Sequence, residues 1–488
     1  MQDFTELLKD CETDLRAGRT QSVAKRLGRL NTSKIPREMR LPLANVCRRA
    51  GLVSVGMKIL SAAVRPKRGG EMATSGELAE YAVLLHRSGA NNEALATLAR
   101  VDTSKVPEAL LYRAFCNFQD WEFDQAIVAL GGYLEAPLAP YPRFVGQVNL
   151  AAAHVWAQNW DKALELLGAN IATAKESSYF RLQANCHELR AQVHLSQNRM
   201  GEARVDLEEA NKLFVANSAG LDQLFVKKWT AIVSSLESGR LEKIEDFRTE
   251  ALTRQNWESV RDVDFWALRV QFEEDRFEHL LFGTPFPNYR ARVCEEFGRE
   301  PERSHYVFGA ESAPCLDLAS GCLVGTGREL LSPGKKGHQA LEALLRDFYR
   351  PLRLGSLFAE LFPGEHFDIF SSPDRVHQIL RRTRRALEEN DIPVVIEEIK
   401  GSYKVRIEGN FSFLVPWDRR PVEGHHVDFA RLQAEYPVGQ RFSAKEARLR
   451  LGMPKSTFQL LTSWAVEHGK LEMSGPKNAA RYRVRNAA

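Results

Sequence analysis

The residues whose types and spacing could do chemistry lie between 372 and 406. Arg381, Arg382, Arg384 and Arg385 crowd together, with Gln378 nearby on the same segment. A guanidinium fork matches a guanine edge or a pair of phosphate oxygens, so this cluster suits contact with a nucleic acid. Ser372-Pro373 is a helix start, a capping Ser followed by Pro at the first helical position, and the helix is predicted to run to about Asn390. On its wheel Val376, Ile379, Leu380, Thr383 and Leu387 fall on one side. Asp374, Gln378, Arg381, Arg382 and Arg385 fall opposite, with Arg384 at the edge. Two strand-like runs follow, Val394–Ile399 and Ser402–Ile407, turning near Lys400-Gly401. Lys400, Lys404 and Arg406 there could neutralise phosphates. The plainer alternative is a solvated charged face, paired with Glu388, Glu389 and an acidic neighbouring region.

Catalytic signatures are missing elsewhere. Gly334-Lys335-Lys336 lacks the preceding Gly and the Ser/Thr of a phosphate-binding loop. No H-E-x-x-H, G-x-S-x-G or kinase signature occurs, and the carboxylates are scattered. Gly325-Thr326-Gly327 reads as a turn between strands rather than a dinucleotide loop. The seven cysteines, at 11, 47, 116, 186, 294, 315 and 322, are widely spaced with no C-x-x-C. They read as reduced, mostly buried thiols. His425-His426 is an adjacent pair that does not share a helix face and has no further ligand nearby. The expectation is a protein that is not an enzyme and holds no metal or cofactor.

These residues need elements to position them. The chain has 488 residues, enough for roughly two to four domains. Its 44% hydrophobic and 27% charged residues make an ordinary globular balance, which excludes a collagen-like or wholly disordered chain. No stretch approaches the roughly 18 uncharged apolar residues of a membrane span. The first residues, Met1-Gln2-Asp3-Phe4-Thr5-Glu6, show no basic-then-apolar leader. A cytoplasmic protein without a membrane partner is expected. The net charge of +4 is uneven: residues 328–488 carry 27 Lys+Arg against 20 Asp+Glu, whereas 1–327 carry 40 against 43. A basic end behind an acidic majority suits a polyanion.

Residues 1–282 read as paired helices with an internal repeat. A turn residue is followed five positions on by a small or modest residue, and four further on by Leu. The pattern runs Gly18, Val23, Leu27; Gly51, Gly56, Leu60; Gly89, Ala94, Leu98; Trp121, Ala126, Leu130; Gln158, Ala163, Leu167; and Asn198, Ala203, Leu207. Gly239, Ile244 and Arg248 form a degraded copy. A small residue lets two helices approach, and the Leu one turn later packs into the next pair. Gln119–Ile127 and Gln158–Leu164 resemble tetratricopeptide (TPR) repeats, whose period is about 34. The resemblance implies a right-handed helical solenoid whose concave groove binds a protein or peptide. Trp156, Trp160, Tyr179, Trp229, Trp257 and Trp266 are either core or groove residues. His154, His187 and His194 are either satisfied histidines on or near a helix surface, or groove ligands or a pH sensor.

Residues 283–304 read as a linker that includes a short helix at Tyr289–Phe297. Residues 305–408 then combine short strands (Tyr306–Phe308, Cys315–Leu318, Cys322–Val324), helices at Gly337–Tyr349 and Leu354–Phe362, the arginine-rich helix and the hairpin. With Leu316-Asp317, Arg375-Val376…Ile379-Leu380-Arg381…Arg384-Arg385-Ala386-Leu387 and Gly401-Ser402-Tyr403-Lys404-Val405, this stretch resembles the winged-helix effector domain of OmpR/PhoB-type transcription regulators. The resemblance implies that the third helix enters the DNA major groove and the hairpin touches the neighbouring minor groove. The family's usual phosphoacceptor domain is replaced here by a solenoid, so control by phosphorylation is not implied.

Residues 409–426 read as a second linker, and 427–488 as a second winged helix that resembles no one family. A helix at Val427–Tyr436 precedes one opened by a Ser443-to-Glu446 capping box. A third helix at Ser456–His468 precedes a hairpin of Leu471–Met473 and Arg481–Val484. Candidate DNA contacts are Lys455, Ser456, Gln459, Lys477, Arg481 and Arg483; a structural or dimerising role is the alternative. The expected fold is mainly α, with a TPR-like helical solenoid over 1–282 followed by two winged-helix (α+β) domains. The expected function is a sequence-specific DNA-binding transcription regulator. Its partners would be double-stranded DNA and a protein or peptide in the solenoid groove, and a homodimer on a repeated site is compatible with it. The alternatives are a non-enzymatic scaffold subunit resembling PCI proteins, or an RNA-binding protein.

Overall fold

Helices follow one another in antiparallel pairs over the first 282 residues of the computed structural model, which describes residues 4–16, 19–66, 71–216, 222–311, 313–417, 424–475 and 480–485. The pairs are Phe4–Arg16 with Thr20–Leu27, Arg37–Arg49 with Val53–Val64, Ser75–Ser88 with Asn91–Leu98, and Glu108–Gln119 with Phe123–Glu135. They continue with Pro140–Trp156 and Trp160–Glu176, Phe180–Ser196 and Met200–Ala216, Gln223–Ser238 and Glu242–Thr253, then Trp257–Val270 and Glu274–Phe282. A further helix, Pro287–Phe297, follows within the stretch read as a linker.

The sequence repeat has a plain physical basis. Its turn residues Gly51, Gly89, Trp121, Gln158, Asn198 and Gly239 all have positive φ, from 58° at Asn198 to 95° at Gly89. A left-handed residue there ends one helix and lets the next start within a few residues. Gly18 lies outside the described residues. The small positions Val23, Ala94, Ala126, Ala163 and Ala203 are wholly buried, as are Leu27, Leu60, Leu98, Leu130 and Leu167. At Gly56 an added Cβ would already lie 3.1 Å from the Leu84 methyls, so the helices meet there with little space to spare. The last pair lacks the signature because its connection is extended, with φ −147° at Gln271. The sequence pattern therefore stops one pair short.

The chain folds as two compact units. The first comprises Met1–Glu302, Leu344–His377 and Glu397–Lys404; the second comprises Arg303–Ala343, Gln378–Ile396 and Val405–Ala488. Within the first, the solenoid grips residues 344–377 at several points. Arg261 Nη2 donates to both carboxylate oxygens of Asp347 at 2.7 Å. Tyr349 donates its hydroxyl to Asp264 (3.0 Å), and Ser356 donates to the Gly89 carbonyl (2.9 Å). The Phe367 amide donates to Glu93 at 2.6 Å. A Cβ on Gly355 would meet the Ser88 carbonyl oxygen at 2.7 Å and the Ala90 nitrogen at 2.8 Å. Two backbones touch at that position, and only glycine allows it.

In the second unit a four-stranded sheet runs His305–Gly309, Ser412–Pro416, Cys315–Asp317, Cys322–Leu323. Ser412–Pro416 pairs antiparallel with the first of these and parallel with Cys315–Asp317. This corrects the linker expected at 409–426. Phe413 and Val415 are wholly buried, and their period-two spacing was the strand signal that the Pro-rich end of the segment obscured. The helix expected over 337–349 is shorter, Lys336–Leu344. A small three-stranded sheet, of which Leu352–Arg353 and residues 397–404 belong to the first unit, orders Leu352–Arg353, Ser402–Ile407, Val394–Ile399. Lys400 and Gly401 form its hairpin turn, both with positive φ (51° and 77°), as a two-residue type I′ turn requires. Helices Leu354–Leu361 and Ser372–Glu389 lie between these strands in sequence.

The end of the chain packs helices Gly424–Glu435, Ala444–Leu451 and Lys455–Glu467 with a sheet ordered Arg441–Ser443, Arg481–Val484, Leu471–Ser474. Phe429, Leu432, Tyr436, Phe442, Phe458 and Leu461 lie at its core. Ser443 accepts the Glu446 amide, as the capping pattern predicted. Among the described residues no helix is long and apolar enough to cross a membrane.

Candidate binding cavity and arginine face

Helix Ser372–Glu389 divides as its wheel predicts. Val376, Ile379, Leu380, Thr383 and Leu387 are buried, whereas Gln378, Arg381, Arg382 and Arg385 are exposed. Among the described residues no ion pair joins Arg381, Arg382 or Arg385 to Glu388, Glu389 or any other carboxylate. Arg384 differs and corrects the expectation of a DNA contact. It is half-buried, and its Nε and Nη2 donate to the Ile396 carbonyl at 3.1 and 2.7 Å. It braces the helix against the strand that follows.

The hairpin candidates separate in the same way. Lys400 is exposed at the turn. Lys404 is half-buried with its ammonium 5.1 Å over the Trp257 ring, and burial lowers its pKa. Arg406 is exposed but sits 2.7 Å from Glu408. In the last module Lys455, Ser456, Gln459, Arg481 and Arg483 are exposed, with Arg483 3.5 Å from Glu472. Lys477 lies outside the described residues.

The second site is a cavity of about 750 Å³ inside the first unit, a size typical of ligand pockets. Trp156, Trp160, Trp229 and Trp266 line it, as do Phe118 and Trp121. Helix Pro287–Phe297 closes one side: Tyr289 meets Trp121 edge-on at 4.5 Å, and Asn288 donates to the Trp121 carbonyl at 3.1 Å. Tyr179 and Trp257 do not line it; Tyr179 packs against Tyr141 and Phe144.

Charges reach the cavity from every side. Lys228 pairs with Asp262 at 2.6 Å, and Asp222 with Arg181 at 2.6 Å. Glu188 accepts from Trp229 Nε1 and from Gln192 (2.9 Å), and burial pushes its pKa up. Arg350 lies 3.6 Å from Glu258. Arg87, Arg292 and Arg353 have no carboxylate partner among the described residues. None of these charged residues stood out in the sequence, because they are spread over more than 250 positions and share no spacing.

The three histidines considered as groove ligands lie elsewhere. His187 bonds Asp206 at 2.8 Å, His194 lies 3.4 Å from the same carboxylate, and Arg190 completes the cluster at 2.6 Å. Burial works against the Asp206 charge, but Arg190 and His187 outweigh it and hold the carboxyl below its ordinary value. His154 contacts Asn159. These are supports within the helical pairs. All seven cysteines are free, and burial pushes Cys47, Cys116 and Cys186 up to about 12. Among the described residues no group of three or more His, Cys, Asp or Glu is arranged so that it could hold a metal ion.

Neither a protein-family profile nor any curated protein matches the chain. One similar solved structure is a tetratricopeptide repeat protein from Parabacteroides merdae, at 14% identity over 57% of this chain and 97% of that one, with a TM-score of 0.34. Another is Rap protein complexed with competence and sporulation factor, at 11% over 79% and 96%, with a TM-score of 0.37. A third is the TPR domain of P58(IPK), at 13% over 72% and 98%, with a TM-score of 0.21. The TPR-like character of the solenoid rests on its own helix pairing and turn geometry rather than on these likenesses.

Proposed function

We propose that this protein is a non-enzymatic, sequence-specific DNA-binding transcription regulator whose TPR-like solenoid binds a protein or peptide. The observation that carries the DNA half is the exposed, unpaired set Arg381, Arg382 and Arg385 on a helix whose other face is buried. The order of strands, helix, strand, two helices and hairpin around it supports an OmpR/PhoB-type winged helix. Solvated guanidinium groups cost the fold little and suit phosphate and base-edge contacts. The solenoid half is supported by a tryptophan-walled cavity of the kind helical repeats offer to peptides.

The test is binding of genomic DNA fragments by the full chain at two salt concentrations with competitor DNA. Selective binding that weakens steeply with salt supports the regulator. Weak, unselective binding sinks it. One observation favours a scaffold as the second reading: Leu449 and Leu460 of the last module are 82% and 63% exposed, and apolar residues left so open suit a protein partner.

A further inference from the structure

The cavity wall has two origins. Most of it comes from the helical pairs, including Arg87 at the end of helix Ser75–Ser88. The remainder comes from outside the pairs: Tyr289 and Arg292 of helix Pro287–Phe297, and Arg350 and Arg353 in the segment that includes strand Leu352–Arg353. That strand pairs with the hairpin, Leu352 opposite Tyr403 and Arg353 opposite Ser402. A ligand in the cavity therefore touches both the repeats and the strand that holds the hairpin.

The buried wall groups without a hydrogen-bond partner are the Nε of Arg292, the hydroxyls of Ser259 and Tyr289, and one carboxylate oxygen, Glu258 Oε1. The lining carboxylates already have partners: Asp262 has Lys228, Asp222 has Arg181, Glu258 has Arg350, and Glu188 has two donors. Arg87 and Arg353 are solvent-exposed at the cavity and hold only backbone oxygens. Arg87 donates to the Arg48 carbonyl at 2.9 Å, and Arg353 donates to the Arg87 carbonyl at 3.2 Å. Neither guanidinium has an ion-pair partner among the described residues, although the Glu80 charge acts on Arg87. Burial foremost, and then the charges of Arg350 and Arg87, lower the Arg353 pKa. Arg292 adds an independent sign. It lines the cavity beneath the Phe265 ring at 5.5 Å, and its buried Nε has no hydrogen-bond partner. Buried donors normally find an acceptor, and this one has none among the described residues.

We propose that the cavity takes a short acidic peptide, with its apolar side chains against the tryptophan wall and a carboxylate bridging Arg87 and Arg353. Bridging clamps the strand Leu352–Arg353, and with it the hairpin, to the solenoid. This deepens the reading of the solenoid as a peptide binder and does not depend on DNA binding. A carboxylate held by two guanidinium forks is a strong, charge-assisted contact. A neutral or basic peptide would leave the arginines uncompensated.

The experiment titrates the full chain with two randomised pentapeptide pools with blocked ends, one rich in Asp and Glu and one rich in Lys and Arg, followed by tryptophan fluorescence. The acidic pool is expected to bind at least about tenfold more tightly, the effect of about 1.4 kcal/mol. Arg87→Gln with Arg353→Gln is expected to erase that preference. At about ten times the dissociation constant of the acidic pool, hydrogen exchange across residues 349–353 should slow by about tenfold. A neutral pool with a free carboxyl terminus distinguishes a terminal from a side-chain carboxylate. Should the double variant lose its helical signal, Arg87→Gln alone carries the comparison, since that side chain bonds only a carbonyl. Equal binding of the acidic and basic pools, or an acidic preference that survives these variants, overturns the proposal. Unchanged exchange at 349–353 overturns the clamp. Failure of every pool to bind overturns the peptide-binding reading itself.

Discussion

Arginine plays two different parts in the two compact units. In the first, Arg190 closes on Asp206, Arg248 on Asp264 and Arg261 on Asp347, and all three carboxylates are buried. In the second, Arg381, Arg382 and Arg385 stand in solvent without a carboxylate partner. The difference follows from desolvation. A charge taken out of water must meet an opposite charge, so the first set belongs to the architecture. A charge left in water contributes little to folding and stays available to a partner. The residue type states what chemistry is available, and the surroundings decide which part of it is used.

The comparison breaks first at Arg261, which lies wholly buried between the rings of Phe286, Tyr289 and Tyr349. Arg261→Ala leaves the buried Asp347 with only the more distant Arg350, 3.7 Å away, and should cost about 3–5 kcal/mol, read as an earlier denaturant midpoint of the full chain. Arg261→Met combined with Asp347→Leu should recover much of that stability, since no unpaired charge then remains. Removing exposed arginines should do the opposite. Arg381→Ala with Arg382→Ala should leave stability within about 0.5 kcal/mol. The same pair should weaken DNA binding by about 1–3 kcal/mol for each arginine that reads a base edge. A large drop in stability with unchanged DNA affinity would reverse the two parts.

Gly355→Ala tests the backbone contact with Ser88 and Ala90 inside the first unit. Overpacking there should cost about 1–3 kcal/mol and speed hydrogen exchange in residues 344–377. Unaltered exchange would mean that this contact is not formed in solution.

The smallest expected effect is a pH dependence of opposite sign in the two units. Burial foremost holds His86, His154, His194 and His279 of the first unit below the usual histidine value. A base depressed in the folded state contributes stability at high pH that is lost as the pH falls below about 6.5. His338 of the second unit is raised. Burial opposes its charge, but Glu342, 3.2 Å away, and the Leu318 carbonyl outweigh burial. Its contribution is present below about 6.5 and is lost as the pH rises through the folded value. Between about pH 7.5 and 5.5, exchange protection corrected for intrinsic rates should fall in helix Glu274–Phe282 and rise in helix Lys336–Leu344. Parallel changes in both helices would remove the distinction.

The helical pairs were legible because their signal is local. A left-handed turn, a small residue and a Leu recur at short fixed offsets, and Ala126 with Leu130 or Ala163 with Leu167 show burial where the offsets place it. The faces of Ser372–Glu389 were legible for the same reason, since a periodicity of 3.6 separates apolar from charged residues without knowledge of neighbours. Even the Lys400-Gly401 turn could be read, because two adjacent residues of positive φ need few other contacts.

Tertiary structure alone decided the remainder. Arg384 became a brace, and Lys404 came to lie over Trp257, 147 positions away. Ser412–Pro416 left the expected linker to enter a sheet with Cys315–Asp317. The cavity gathered Arg87, Lys228, Arg292 and Arg353 from distant helices and a strand. The sequence by itself determined which face of each element would avoid water, because that preference sums over residues a few positions apart. Only the docking of whole elements decided which polar group meets which, because a hydrogen bond or ion pair exists over about 3–4 Å and no local spacing encodes so short a distance between remote parts of a chain.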